Sequence, residues 1–170
     1  MKKNTNLTFN KLFSVFFLLV LASCSKEEIA VSSDEINFRN EIPYLINSNE
    51  PFTGNIREQD DRGQILSVER FKDGKFHGSH ERYTDSGVLE SREVYSEGNL
   101  SSAEDFNDET GFIEWKYVYD DIGNLIEESE FHTNGNLFTL IKISNDGTEQ
   151  IKRYDEDGKD VSNATLTMKD

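Results

Sequence analysis

The sequence predicts an all-β protein: an elongated antiparallel β-meander of tandem hairpin repeats, with about ten to twelve strands in a single-layer or thin twisted sheet. Three observations predict it. Polar turns ending in glycine recur at Gly63, Gly74, Gly87, Gly98, Gly111, Gly123, Gly135, Gly147 and Gly158, at steps of 11 to 13 residues. An apolar residue lies two after the first seven of these glycines (Ile65, Phe76, Leu89, Leu100, Ile113, Leu125, Leu137), and a second one, usually aromatic, closes the unit. The two are six apart in most units, as in Leu89 and Tyr95 or Leu125 and Phe131. An even spacing puts both on one face of a strand, whereas on a helix it is about 600° of rotation. Finally, turns such as Asn134-Gly135 and Asp146-Gly147 supply the positive φ that tight hairpins need.

The chain divides into a leader (residues 1–23), a tether (24–34) and a repeat domain (35–170). The leader has Lys2, Lys3 and Lys11 near its start and an apolar run from Leu12 to Ala22. That run is too short for a membrane-spanning helix, which takes about 20 residues, and it suits a secretory signal peptide. It ends in Leu21-Ala22-Ser23-Cys24, which resembles the lipobox of bacterial lipoproteins. The resemblance implies cleavage before Cys24 and lipid attachment to it, anchoring the chain in a membrane. Several acyl chains make such an anchor stable. Lys26-Glu27-Glu28 directly follow. They resemble a short export tag for the cell's outer surface; the other reading is an ordinary polar tether.

Within the domain, Glu35–Arg39 and Ile42–Ile46 are expected to be short strands. Pro43 and Pro51 lie ahead of the regular units, as expected if the later strands are paired on both sides. The repeats run from Gln64 to Gly158. Phe76 and Tyr83 are seven apart with Gly78 between them; a bulge there would restore a common face. Trp115 and Tyr117 are expected to share a face with Ile113 and Tyr119. Val161–Met168 is expected to be a final strand capping the sheet. Between the apolar ends of each strand lie Ser and Glu, as at Ser67 and Glu69, Ser91 and Glu93, Ser102 and Glu104, or Glu127 and Ser129. A thick closed core would not bury them, so the sheet should be thin and wetted on both faces.

The 170 residues hold 33 acids against 18 Lys and Arg, a formal charge of -15. Loss of a leader with three lysines and no acid takes it to -18. This argues against nucleic acid as a partner and against electrostatic docking on anionic lipid. It suits a basic protein, or simply solubility outside the cell. Cys24 is the only cysteine, so the domain must hold together by packing and ladder hydrogen bonds.

No catalytic constellation is legible, and a non-enzyme without metal or cofactor is expected. His77 and His80 are three apart, hence on opposite faces of a regular strand unless the bulge at Gly78 reorients one. His132 stands alone. The acidic turns Asp120-Asp121 and Asp155-Glu156-Asp157 lack the spaced ligands of an EF-hand loop and read as solvated turns.

The phrases Pro51-Phe52-Thr53-Gly54, Phe71-Lys72-Asp73-Gly74-Lys75-Phe76-His77-Gly78 and Glu81-Arg82-Tyr83 with Ser86-Gly87-Val88-Leu89 resemble the MORN-variant repeat family, one branch of which is labelled as antitoxins. Lys116–Leu125 also resembles a YD repeat. The resemblance covers most of residues 51–158 and implies hairpin repeats. The second glycine of the unit is present only at 54 and 78, with Ser102 where the next would stand, so the later units depart from the pattern. Neither family brings a catalytic motif that maps here.

The expected function is therefore a non-catalytic outer-membrane lipoprotein, anchored in the envelope or at the cell surface, that binds a protein or glycan through its sheet. The alternative is an immunity protein neutralising a basic toxin. The expected contact residues are Trp115 and Tyr117, because Trp and Tyr are enriched at interface hot spots.

Overall fold

The computed structural model describes residues 29–162. The leader, Cys24 and Lys26-Glu27-Glu28 lie outside them, as does the expected final strand beyond Ser162. Among the described residues no helix is long and apolar enough to cross a membrane.

Among the described residues thirteen strands form two sheets. A small hairpin pairs β2 (Ile36–Arg39) with β3 (Ile42–Leu45). The large sheet begins with β1 (Ala30–Ser32), which pairs in parallel with β4 (Gly54–Gln59). It then runs as an antiparallel meander through β5 (Ile65–Lys72), β7 (Gly78–Tyr83), β8 (Leu89–Ser96), β9 (Asn99–Phe106), β10 (Ile113–Tyr119), β11 (Leu125–Phe131), β12 (Leu137–Ile143) and β13 (Glu149–Arg153). The two-residue β6 (Lys75–Phe76) pairs with β5. Strand order follows chain order from β4 to β13, and the sheet does not close. It is the open, thin meander that the turn period predicts.

The ordered structure starts earlier than the sequence predicts. Residues 30–32, read as tether, are the edge strand β1. Val31 stands beside Ile56 and packs on the one compact core, formed by Phe52, Ile56 and Phe71 at 3–5% exposure. Ile36 and Leu45 of the β2–β3 hairpin pack there too. Burial of each such side chain is worth roughly 1.5–3 kcal/mol. Gly74 allows the approach: it has φ +77°, and its N–H donates to the Phe52 carbonyl at 2.8 Å. A Cβ there would lie 2.6 Å from Ile42 Cγ2.

The turns are built by short polar side chains. Asp120 Oδ1 accepts the backbone N–H groups of Ile122 and Asn124 at 3.0 and 2.8 Å. Asp155 does the same for Asp157 and Lys159. These acids close their own hairpins, and each turn glycine supplies the left-handed residue.

Residues opposite one another on antiparallel strands share a face, so the register fixes the sides. Here the six-residue spacing misleads. Tyr119 faces Leu125 while its neighbour Val118 faces Glu127, so Leu125 and Glu127 lie on opposite faces though two apart. The same one-residue step occurs at Tyr83/Leu89, Tyr95/Leu100, Phe106/Ile113 and Phe131/Leu137. Each apolar turn pair therefore sits on the opposite face from the next. Leu125 and Phe131 do not share a side, nor does Ile113 share one with Trp115. The chain does break at His77-Gly78, but Phe76 and Tyr83 still end on opposite faces. One long edge of the sheet is apolar on one face, and the other edge on the other.

Candidate functional site

The two faces differ in charge chemistry. On one, a single row of directly opposed residues crosses the meander: Glu81, Arg92, Glu104 and Lys116. Every neighbouring pair is an ion pair. Arg92 Nε lies 3.5 Å from Glu81, its Nη1 3.4 Å from Glu104, and Lys116 Nζ 3.2 Å from Glu104. Arg70 extends the row to β5, 3.4 Å from Glu81, whose carboxylate also accepts the Tyr83 hydroxyl at 3.2 Å. The arginines outweigh the burial that opposes ionisation and hold the Glu81 carboxyl below its usual range. This is the ladder face.

The opposite face begins at the core. Phe71, Phe76, His80 and Tyr95 continue from it as a run of ring contacts, with centroids 4.3–5.9 Å apart. His80 Nε2 is 3.1 Å from the Arg70 carbonyl. His77 lies apart, its Nδ1 3.7 Å from Glu97. His132 packs on Phe138. The histidines thus have separate surroundings. Among the described residues no group of three or more His, Cys, Asp or Glu is placed to hold a metal ion.

Beyond Tyr95 this face carries Trp115 and Tyr117, half-buried and stacked with centroids 6.4 Å apart and planes 8° from parallel. Being two apart in a regular stretch of β10, they share a side. The register surrounds them with acids. Trp115 stands directly between Asp105 on β9 and Glu130 on β11, and Tyr117 is opposite Glu128. Cross-strand neighbours of this kind have Cβ atoms about 5 Å apart. Glu93 lies one strand further, opposite Ala103, and accepts the Tyr95 hydroxyl at 2.9 Å. Among the described residues none of these four carboxylates makes an ion pair.

The protonation shifts follow from burial and like charge. Burial, then Glu114, Glu90 and Glu93, push the Asp105 carboxyl up. Burial, then Glu128 and Asp105, push the Tyr117 hydroxyl up. Burial and the Glu93 hydrogen bond push Tyr95 up to about 12. Beside Trp115 the face is hollowed into an open depression of about 430 Å³ between Phe138 and Ile141, with Glu128, Glu130 and Arg153 at its sides. Such an arrangement can hold a cation against a ring face.

Trp115 and Tyr117 were legible as candidates. Asp105, Glu128 and Glu130 were not, because only the register shows which carboxylates face the rings. The available signal was the two-residue period shared by Trp115/Tyr117 and Glu128/Glu130.

No family model matches the chain, and no curated protein matches it. Among solved structures it is similar to a GtfA/B complex bound to UDP and GlcNAc, at 12% identity and a TM-score of 0.40, covering 70% of this chain and 23% of that one. It is also similar to an S. aureus TarM mutant in complex with Fondaparinux, alpha-GlcNAc-glycerol and UDP, at 14% identity and a TM-score of 0.39, covering 73% of this chain and 21% of that one. The chain thus spans under a quarter of either protein, and likenesses this slight carry nothing about its activity.

Proposed function

We propose that this protein is a non-catalytic, lipid-anchored envelope module that binds a partner through the Trp115 face of its sheet. The observation that supports this reading is the contrast between the faces. On the ladder face the charges within the row satisfy one another, whereas around Trp115 and Tyr117 the carboxylates make no ion pair among the described residues, with Arg153 alone at the far side of the depression, and the rings are half-exposed. An aromatic pair within a polar surround is the usual make-up of a hot spot. The leader and Cys24 supply the anchor in this reading, in the outer membrane, and Lys26-Glu27-Glu28 its surface address.

The second reading is immunity: the acidic face neutralises a basic toxin. The acids beside Trp115, which make no ion pair among the described residues, favour it. Capture tests both. The full chain, immobilised, is exposed to envelope and secreted fractions of its own cells and of neighbouring cells, beside a W115A/Y117A variant of equal melting temperature. A partner held by the parent and lost by the variant supports the module. One basic secreted protein, released by salt, supports immunity. Equal retention by parent and variant contradicts both.

A further inference from the structure

We infer that the Trp115 face takes an extended, cationic protein segment, seated along β10 and β11 with Lys or Arg side chains between the rings and the carboxylates. The inference rests on the proposal that this face is the contact face, and it names the partner's chemistry.

Three features of the face carry it. The first is its bareness. The β2–β3 hairpin packs on the core formed by β4 and β5, and the meander from β8 to β13 has no second layer among the described residues. The second is charge complementarity. Among the described residues Asp105, Glu128 and Glu130 flank the rings without an ion pair and outnumber Arg153, the one cation lining the depression, while Glu81 and Glu104 on the reverse are each shared between two cations. Like charges this close repel; at Asp105 burial first, and then the charges of Glu114, Glu90 and Glu93, push the carboxyl up. A cation brought in from outside relieves that repulsion and also meets the ring faces. A neutral glycan offers stacking but leaves the carboxylates uncompensated.

The third is pitch. Same-face residues two apart in any extended chain repeat at about 6.8 Å. Tyr117 and Trp115 on β10, and Glu128 and Glu130 on β11, are two such pairs lying side by side. An extended segment laid along them presents alternate side chains at the same interval. The depression beside Trp115 accepts a long aliphatic stem against Phe138 and Ile141, with the charged head at Glu128 and Glu130.

Trp115 is the only tryptophan in the chain, so its emission reports on this site directly. The probe is a short peptide of alternating Arg and Thr, with its Glu-for-Arg counterpart and a neutral chitooligosaccharide as controls. It is titrated into the full chain, and both Trp115 emission and the anisotropy of the labelled peptide are read. The Arg peptide is expected to change the emission saturably, and the Glu peptide to leave it unchanged. The E128Q/E130Q variant should weaken binding by about tenfold or more, and salt raised from about 50 to about 500 mM should weaken it further.

Four results overturn the inference: no binding of the Arg peptide; binding without any change at Trp115; a captured partner whose retention ignores E128Q/E130Q; or a saturable response to the oligosaccharide in place of the peptide. Either of the last two would remove the cationic segment while leaving the contact face standing.

Discussion

Glu130 on β11 is the direct cross-strand partner of Trp115 on β10. The pair sets a half-exposed indole beside a carboxylate that makes no ion pair among the described residues. A pairing of this kind does little for the isolated sheet. It gains in energy when a cation arrives.

Truncating the rings tests that gain. Trp115→Ala should weaken partner capture by about 2 kcal/mol, roughly 30-fold, as expected of a hot-spot aromatic. Titration calorimetry with the captured partner measures it. A loss below about threefold would remove Trp115 from the contact.

The ladder face should respond differently. Arg92 and Glu104 lie 3.4 Å apart, and the Arg92 side chain is 36% exposed. A double-mutant cycle between them in urea should give a coupling of about 1 kcal/mol or less, with partner capture unchanged. A coupling well above that would make the ladder a main source of stability.

The spacing of the glycines gave the turns and the thin meander from β5 onward, since each rests on local turn chemistry, while the thirteen strands exceed the ten to twelve expected. It misassigned the sides. Leu125 and Phe131 look equivalent in sequence, but the register step at Tyr119/Leu125 puts Leu125 on the opposite face. That step belongs to hairpin geometry rather than to residue type. β1 was missed because three residues beside a polar stretch carry no period. Its parallel partner at Asn55–Arg57 is distant in sequence. Asp105 was hidden for the same reason, since only pairing brings it to Trp115.

Glycine substitutions separate turn strain from packing. Gly123 has φ +87° and open space around it, so Gly123→Ala should cost about 1 kcal/mol from backbone conformation alone. Gly74→Ala should cost about 3 kcal/mol, because its Cβ would meet Ile42 Cγ2 at 2.6 Å and Pro51 Cβ at 2.9 Å. Urea denaturation of both variants compares them. Equal costs would show that the β2–β3 hairpin yields freely at Ile42.

Acid should destabilise the turns. The Gln64 backbone N–H and the Arg62 side chain hold the Asp60 carboxyl below its usual value of 3.8. The Asn124 side-chain amide and backbone N–H do so at Asp120. Both contribute stability that is present above the unfolded value and lost as pH falls through the folded one, so the melting temperature should drop below about pH 4. Asp105 has the opposite sign. Its raised carboxyl favours the folded state only at low pH, and that benefit disappears as pH rises through its folded value. Asp105→Asn should therefore raise the melting temperature at pH 7 slightly, on the order of 1 °C, while weakening a basic partner. A lower melting temperature at pH 7 would contradict the account of Asp105 as a carboxylate opposed by burial and by like charge.

The most direct test of the two-faced sheet compares two variants of equal charge change. E128Q/E130Q neutralises two acids beside the rings, and E81Q/E104Q two acids of the ladder. Both are assayed for partner capture well below their melting temperatures. The account predicts that the first loses the partner and the second keeps it, with the loss of stability falling on the second. Equal loss of capture by both, or loss by the ladder variant alone, would contradict it.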